Sequence, residues 1–151
     1  MSSCEQRNYV SEEAHNPFTR ITRVDFELSM DSVIAFKAEA KALLEVKNIP
    51  PVDLHQNWLR AELLYGQAIM ILQHLATSDA VLFANRAAVR LRLSDVFPDR
   101  LTLALYDASQ CLFLDSKCVK GYYRKAQTLL KQHRWDLAIV VAQQALVLQP
   151  V

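Results

Sequence analysis

The sequence predicts an all-α chain: three antiparallel helix pairs stacked side by side, preceded by a non-repeat N-terminal segment. Three observations lead there. The 151 residues include only two glycines, Gly66 and Gly121. That is far below the usual ~7%, which disfavours tight-turned sheets and phosphate-cradling loops. The chain is rich in Ala, Leu, Gln, Arg and Lys, the residues that lose least on entering a helix. And small residues return at a fixed long spacing, the mark of a repeated structural unit.

The N-terminal segment, residues 1–29, is polar and of mixed charge, and Asn16-Pro17 interrupts it. From Val24 to Met30 the apolar residues alternate, a period of two that suits an extended strap with one buried face. A mobile leader is the other reading of this segment.

Helical periodicity then takes over in six segments, at about 30–47, 54–77, 79–93, 99–114, 117–131 and 134–149. Asp31 or Ser32 can start the first, and Pro50-Pro51 separates it from the second. Ser78-Asp79 caps the third. Ser94-Asp95 and Pro98-Asp99 divide the third from the fourth, and Asp115-Ser116 ends the fourth. Each is a capping residue or a proline at a place where a helix must stop and restart.

The pairs repeat. ANRAAVRLRL (84–93) aligns with YRKAQTLLKQ (123–132), matching Asn85 to Arg124 and Ala87 to Ala126 at an offset of 39. In the second helices, Ala104 and Cys111 match Ala138 and Ala145 at an offset of 34; the difference is an insertion in SDVFPDRL. Ala61, Tyr65 and Ala68 carry the same pattern upstream. Three helix hairpins follow, at about 30–78, 79–116 and 117–150.

This 34-residue helix–turn–helix period resembles the tetratricopeptide repeat (TPR). The last copy, KGYYRKAQTLLKQHRWDLAIVVAQQALVLQP, is the clearest, with Ala126, Ala138, Ala145 and the closing Pro150 in the family's places. Small side chains there let the two helices of a repeat approach closely. The other copies depart from the pattern. The first has about nine extra residues around NIPPVDLHQNW, and the second has Ser116 where proline is common. The resemblance covers about residues 30–150, most of the chain, and implies that the first helices of the pairs line a concave ligand face.

On that face, Lys120, Tyr123, Arg124 and Gln127 share one side of the fifth helix; Tyr122 and Ala126 take the packing side. Asn85, Ala88 and Arg92 are equivalent on the third helix, and Lys37, Lys41 and Leu44 on the first. The predicted groove is cationic, with no acid among these positions.

The pattern is similar to that of the carboxylate-clamp TPR domains, which bind the C-terminal Glu-Glu-Val-Asp of heat-shock proteins 70 and 90. Asn85-Arg86 matches the clamp's third-helix signature through Asn85. Lys120-Gly121-Tyr122-Tyr123-Arg124 matches its fifth-helix signature through Lys120 and Arg124. Lys37 matches the first lysine when Ala40 takes the small-residue place. Lys41 then stands where the family has asparagine, a departure that keeps a donor but adds charge and length. Glu39 and Glu45 nearby would also suit Lys37 as ordinary surface. Such a donor set fits its ligand: a C-terminal Asp offers two carboxylates, and Lys, Arg and Asn supply charge-assisted bonds with little competing acceptor capacity. Ala88, Arg92, Tyr123 and Gln127 are further candidates for lining the groove.

Other functions find less support. A net charge of +1 lacks the basic excess of a nucleic-acid module. The four histidines are dispersed without ligand spacing, so neither metal nor cofactor is expected. No catalytic constellation can be argued, and the acids are assigned to outer faces, so the chain reads as a binding module and not an enzyme. Cys4, Cys111 and Cys118 make an odd number with no CxxC, as in a reducing compartment. No signal peptide and no membrane span are evident, which places the protein in the cytoplasm or nucleus. The alternative to a chaperone-tail adaptor is a TPR scaffold for a different dedicated partner, or the accessory domain of a larger enzyme. The sixth helix, apolar and without a capping helix after it, offers a surface for self-association.

Overall fold

The computed structural model describes residues 28–149, and every regular element among them is a helix: α1 (Met30–Glu45), α2 (Pro51–His74), α3 (Ala80–Leu93), α4 (Arg100–Leu114), α5 (Val119–Lys131) and α6 (Trp135–Leu148). The strap or leader expected over residues 1–29 lies almost wholly outside the described residues, and α1 opens at Met30, where the first helical segment was expected to begin.

Two boundaries differ from expectation for identifiable reasons. Ser29, not Asp31 or Ser32, caps α1, its hydroxyl accepting the Ser32 amide at 3.3 Å. The second helix begins at Pro51 rather than near 54, with Pro50 at the cap. Proline is at home in the first helical position because the amide it lacks has no partner there anyway. Asp79 caps α3 as its sequence position predicts, accepting the Val81 amide at 2.9 Å. Asp115 accepts the Lys117 amide at 3.0 Å and turns the chain into α5.

Packing joins α1 with α2, α3 with α4 and α5 with α6, and each pair to the next through α2–α3 and α4–α5. The first helix of the third pair also touches the first helix of the second, α5 on α3. Lys120 reaches Asn85 near the start of both helices, and Lys131 reaches Leu91 near the end of both, so α3 and α5 run parallel. The small residues sit where helices cross: Ala40, Ala61, Ala68, Ala87 and Ala104 are all buried among Leu64, Tyr65, Ile71, Leu82, Val89 and their neighbours. A smaller cluster of Leu129, Ala138 and Val141, with Tyr122 and Ala126 against it, forms the core of the last pair.

The glycines are placed by contact, not by turn geometry. A Cβ on Gly121 would stand 2.8 Å from Cys111 Sγ and 2.9 Å from Leu112 Cδ2, so the α4–α5 crossing excludes any side chain. Cys111, fully buried beneath it, has its thiol pushed up to about 12 by burial and by the neighbouring Cys118. By contrast the left-handed positions carry no glycine. Ala76 (φ 53°) and His133 (φ 58°) end α2 and α5, where Thr77 donates to the Leu72 carbonyl and Arg134 to that of Leu129. That is the 6→1 bond of a Schellman turn, normally built around glycine.

One acid is not on an outer face as expected. Asp107 is wholly buried on α4. Arg86 clasps it with Nε at 2.9 Å and Nη2 at 2.8 Å, and Arg90 Nη1 adds a bond at 2.7 Å. Arg90 Nε continues to Glu62 on α2 at 2.7 Å, and Arg100 Nε closes on the other Glu62 oxygen at 3.1 Å. Three helices are tied together by this chain of charges. Its position was visible in the pattern, since Asp107 falls among Ala104, Ala108 and Cys111 on the buried face of α4.

Two outcomes follow for stability, both read by urea denaturation. Asp107→Ala strands two guanidiniums in the interior and is expected to cost about 3–5 kcal/mol. The glycine pattern predicts opposite signs: Gly121→Ala destabilises by about 1–3 kcal/mol through overpacking, whereas Ala76→Gly stabilises by up to about 1 kcal/mol by relieving a left-handed alanine.

Candidate functional site

The network around Asp107 fixes the rotation of α3. With Arg86 and Arg90 drawn toward α2 and α4, Asn85, Ala88 and Arg92 lie along a different side of the helix, the one that meets α5. There the structure brings together six of the residues expected in the groove: Asn85, Ala88, Arg92, Lys120, Arg124 and Gln127. Lys120 Nζ donates to Asn85 Oδ1 at 3.4 Å, the long end of hydrogen-bond range. Arg124 Nη1 donates to Gln127 Oε1 at 2.9 Å, and its guanidinium lies 5.1 Å from the centre of the Tyr123 ring. Tyr123 itself is exposed. Tyr122 turns the other way and donates its hydroxyl to the Ser116 carbonyl at 3.0 Å.

Between α3 and α5 a 460 Å³ cavity is lined by Ala88, Leu91, Arg92, Asp95, Arg124, Gln127, Leu130 and Lys131. Arg92 also borders a second hollow of 320 Å³ at the α1–α2 turn, where its guanidinium lies 5.9 Å from the centre of the Trp58 ring. Arg92 therefore stands between the two hollows.

The electrostatics of the groove are uneven. Arg92, Lys120 and Arg124 have no carboxylate within ion-pair distance among the described residues. Burial makes the charged form of Arg124 harder to hold, Tyr123 partly offsets this, and the positive charge of Arg92 adds to the penalty, so the Arg124 pKa is lowered. Arg124 Nε is buried without a hydrogen-bond partner. Burial likewise raises the Tyr65 phenol, and Arg92 pulls it partly back. An anion entering the groove would relieve both the repulsion and the missing bond.

The α1 side is different. Lys37 reaches across to the cap of α3 and pairs with Asp79 Oδ2 at 2.8 Å. An acid from outside the predicted row, the α3 cap, therefore pairs with the row's first member. Lys41 is 75% exposed and pairs with Glu45 on its own helix at 3.8 Å. Neither lysine touches the α3–α5 cluster.

Four lining residues were not anticipated: Leu91, Asp95, Leu130 and Lys131. They continue the same rows by one more turn, and Lys131 closes that end of the groove by donating to Asp95 at 2.8 Å and to the Leu91 carbonyl at 3.1 Å. Extending the period of each row would have found them. Trp58 belongs to α2, and no periodic signal on the first helices points to it.

Comparison with known proteins bears on the architecture. The TPR domain of Arabidopsis OM64 has a similar structure, with a TM-score of 0.64 and 25% sequence identity over 80% of this chain and 85% of that one. The fold is TPR-like. No family model matches the sequence, and no curated protein matches it. A TPR-like array is a protein-interaction scaffold, and a peptide or protein is the partner that this fold implies. No helix among the described residues is long and apolar enough to cross a membrane.

Proposed function

We propose that the chain is a co-chaperone or adaptor module that holds the extreme C-terminus of an acidic peptide, the Glu-Glu-Val-Asp tail of heat-shock protein 90 or 70, in the α3–α5 groove. The observation that carries this reading is the set of donors without acidic partners on two neighbouring helices: Asn85 and Arg92 facing Lys120 and Arg124. Burying like charges side by side is unfavourable unless an anion answers them. A terminal Asp brings two carboxylates to the same spot, and an internal peptide segment would leave donors unpaired. Lys37 joins this set if the incoming tail displaces Asp79, and Lys41 is the outermost member. A short peptide of this kind buries little surface, which puts its affinity near the micromolar range, about −8 kcal/mol or weaker. Such a module works in the cytoplasm or nucleus, where those chaperones present their tails.

A second reading rests on α6. Its Leu137, Ile139, Val140, Leu146 and Val147 are exposed, an apolar face that favours a scaffold role in which another chain, or a second copy of this one, covers it.

Calorimetric titration with a Met-Glu-Glu-Val-Asp peptide tests the first reading: the free acid binds, and its C-terminal amide binds at least tenfold more weakly. Equal affinity for the two forms would rule out a carboxylate clamp. Asp79→Asn keeps a good helix cap but releases Lys37, so it should tighten the free acid about two- to fivefold, the scale of a half-exposed ion pair. A variant no tighter than wild type would take Lys37 out of the site.

A further inference from the structure

The flank of α3 that carries Arg86 and Arg90 opens onto a second cleft, of 550 Å³, walled by α2 and α4. Its lips are apolar and exposed: Leu63 at 60%, Met70 at 55% and Leu103 at 36%. Its floor is charged and internally paired. Arg86, Arg90 and Arg100 line it together with Glu62; Asp107 holds Arg86 and Arg90, and Glu62 holds Arg90 and Arg100. Asp99 pairs with Arg100 at 2.6 Å on the rim, so each guanidinium has a carboxylate partner and what the floor offers a ligand is its unused N–H donors.

Gly66 sets the access to this floor. It lies in the interior of α2, where glycine costs about 1 kcal/mol relative to alanine. Unlike Gly121, it is not required by packing: a Cβ there would meet only Arg86 Nη1, at an ordinary 3.5 Å. Arg86 uses Nε and Nη2 on Asp107, so Nη1 is the nitrogen left over, and it faces the gap that Gly66 leaves. The helix gives up stability at the one point where a side chain would cover an unused donor.

We propose that this cleft is a second docking site, for an amphipathic helix of a partner protein that carries a glutamate or aspartate in the middle of its apolar face. Leu59, Leu63 and Met70 lie along one side of α2 over roughly 16 Å, three helical turns. Two helix walls with a third helix as floor make a trough that suits a helix laid along it. The carboxylate enters over Gly66 to meet Arg86 Nη1. A lysine in its place offers that donor no acceptor and sets a positive charge beside the guanidinium, so it binds more weakly.

The test uses methyl-labelled methionine and three synthetic 14-residue Leu/Ala-rich helical peptides that differ only in a central Glu, Gln or Lys. Met30 and Met70 are the described methionines, at the start of α1 and on the lip of the cleft, so one serves as control for the other. The Glu peptide should shift the Met70 methyl and not that of Met30. The Gln peptide should bind more weakly, and the Lys peptide at least tenfold more weakly than the Glu form. Gly66→Leu, which fills the trough, should abolish the shift while the circular dichroism melt stays cooperative. Leu63→Glu alters only an exposed lip and should weaken the Glu peptide by tenfold or more, which covers the case in which Gly66→Leu fails to fold. Equal binding of the Glu and Lys peptides, an unmoved Met70 signal with all three, or undiminished binding to Leu63→Glu would overturn the proposal.

Discussion

Asp107 is the constraint on which the rest of the arrangement depends. A carboxylate with no exposed surface cannot stay ionised without close cations, and Arg86 and Arg90 supply them from one face of α3. Once those two arginines are committed, the helix cannot rotate without uncovering buried charge. Asn85 precedes Arg86 by one residue and Arg92 follows Arg90 by two, so they must emerge on another side, toward α5. The internal ion network and the outward-facing donor row are two consequences of one helix orientation.

The same partition explains how a chain of net charge +1 presents a cationic groove. Several of the acids among the described residues are used elsewhere. Asp107 and Glu62 are held inside, Asp79 caps α3 and takes Lys37, Glu39 takes Arg60, and Asp95 takes Lys131 at the far end of the groove. Among the described residues, Arg92, Lys120 and Arg124 of the groove have no carboxylate within ion-pair distance. Within α5, Lys120 and Arg124 are one turn apart, a like-charged spacing that costs only a few tenths of a kcal/mol. The more consequential pair is Arg124 with Arg92 on the neighbouring helix, because Arg124 is half-buried and solvent screens it less.

Much of this was legible in the sequence because it is periodic. Helix number, the small residues at crossings and the α3 and α5 rows follow from spacings of three, four and thirty-four, and the Asp79 cap follows from residue type. Gly121 and Tyr122 fall on the packing face where the period puts them. Other features were not legible because they depend on contacts between distant residues. The period puts Asp107 on the buried face of α4, but its partners Arg86 and Arg90 lie 21 and 17 residues away and nothing local points to them. The Lys37–Asp79 pair joins positions 42 residues apart, and nothing local marks Asp79 as more than a cap. Trp58 reaches Arg92 only because the α1–α2 turn folds back toward the end of α3. What each glycine's missing side chain spares was not legible either: a Cβ on Gly121 would meet Cys111 Sγ at 2.8 Å, and one on Gly66 would meet only Arg86 Nη1, at 3.5 Å.

If the donors along α3 and α5 act on the terminal carboxylate of a peptide, a thermodynamic cycle will register it. Affinities of wild type and Lys120→Ala would be measured for the free-acid and amidated forms of the same tail peptide. Removing Lys120 should cost about 1–3 kcal/mol against the free acid and close to nothing against the amide, the mark of a direct charged hydrogen bond. An equal loss against both forms would contradict it, since Lys120 would then serve the groove without touching the carboxylate.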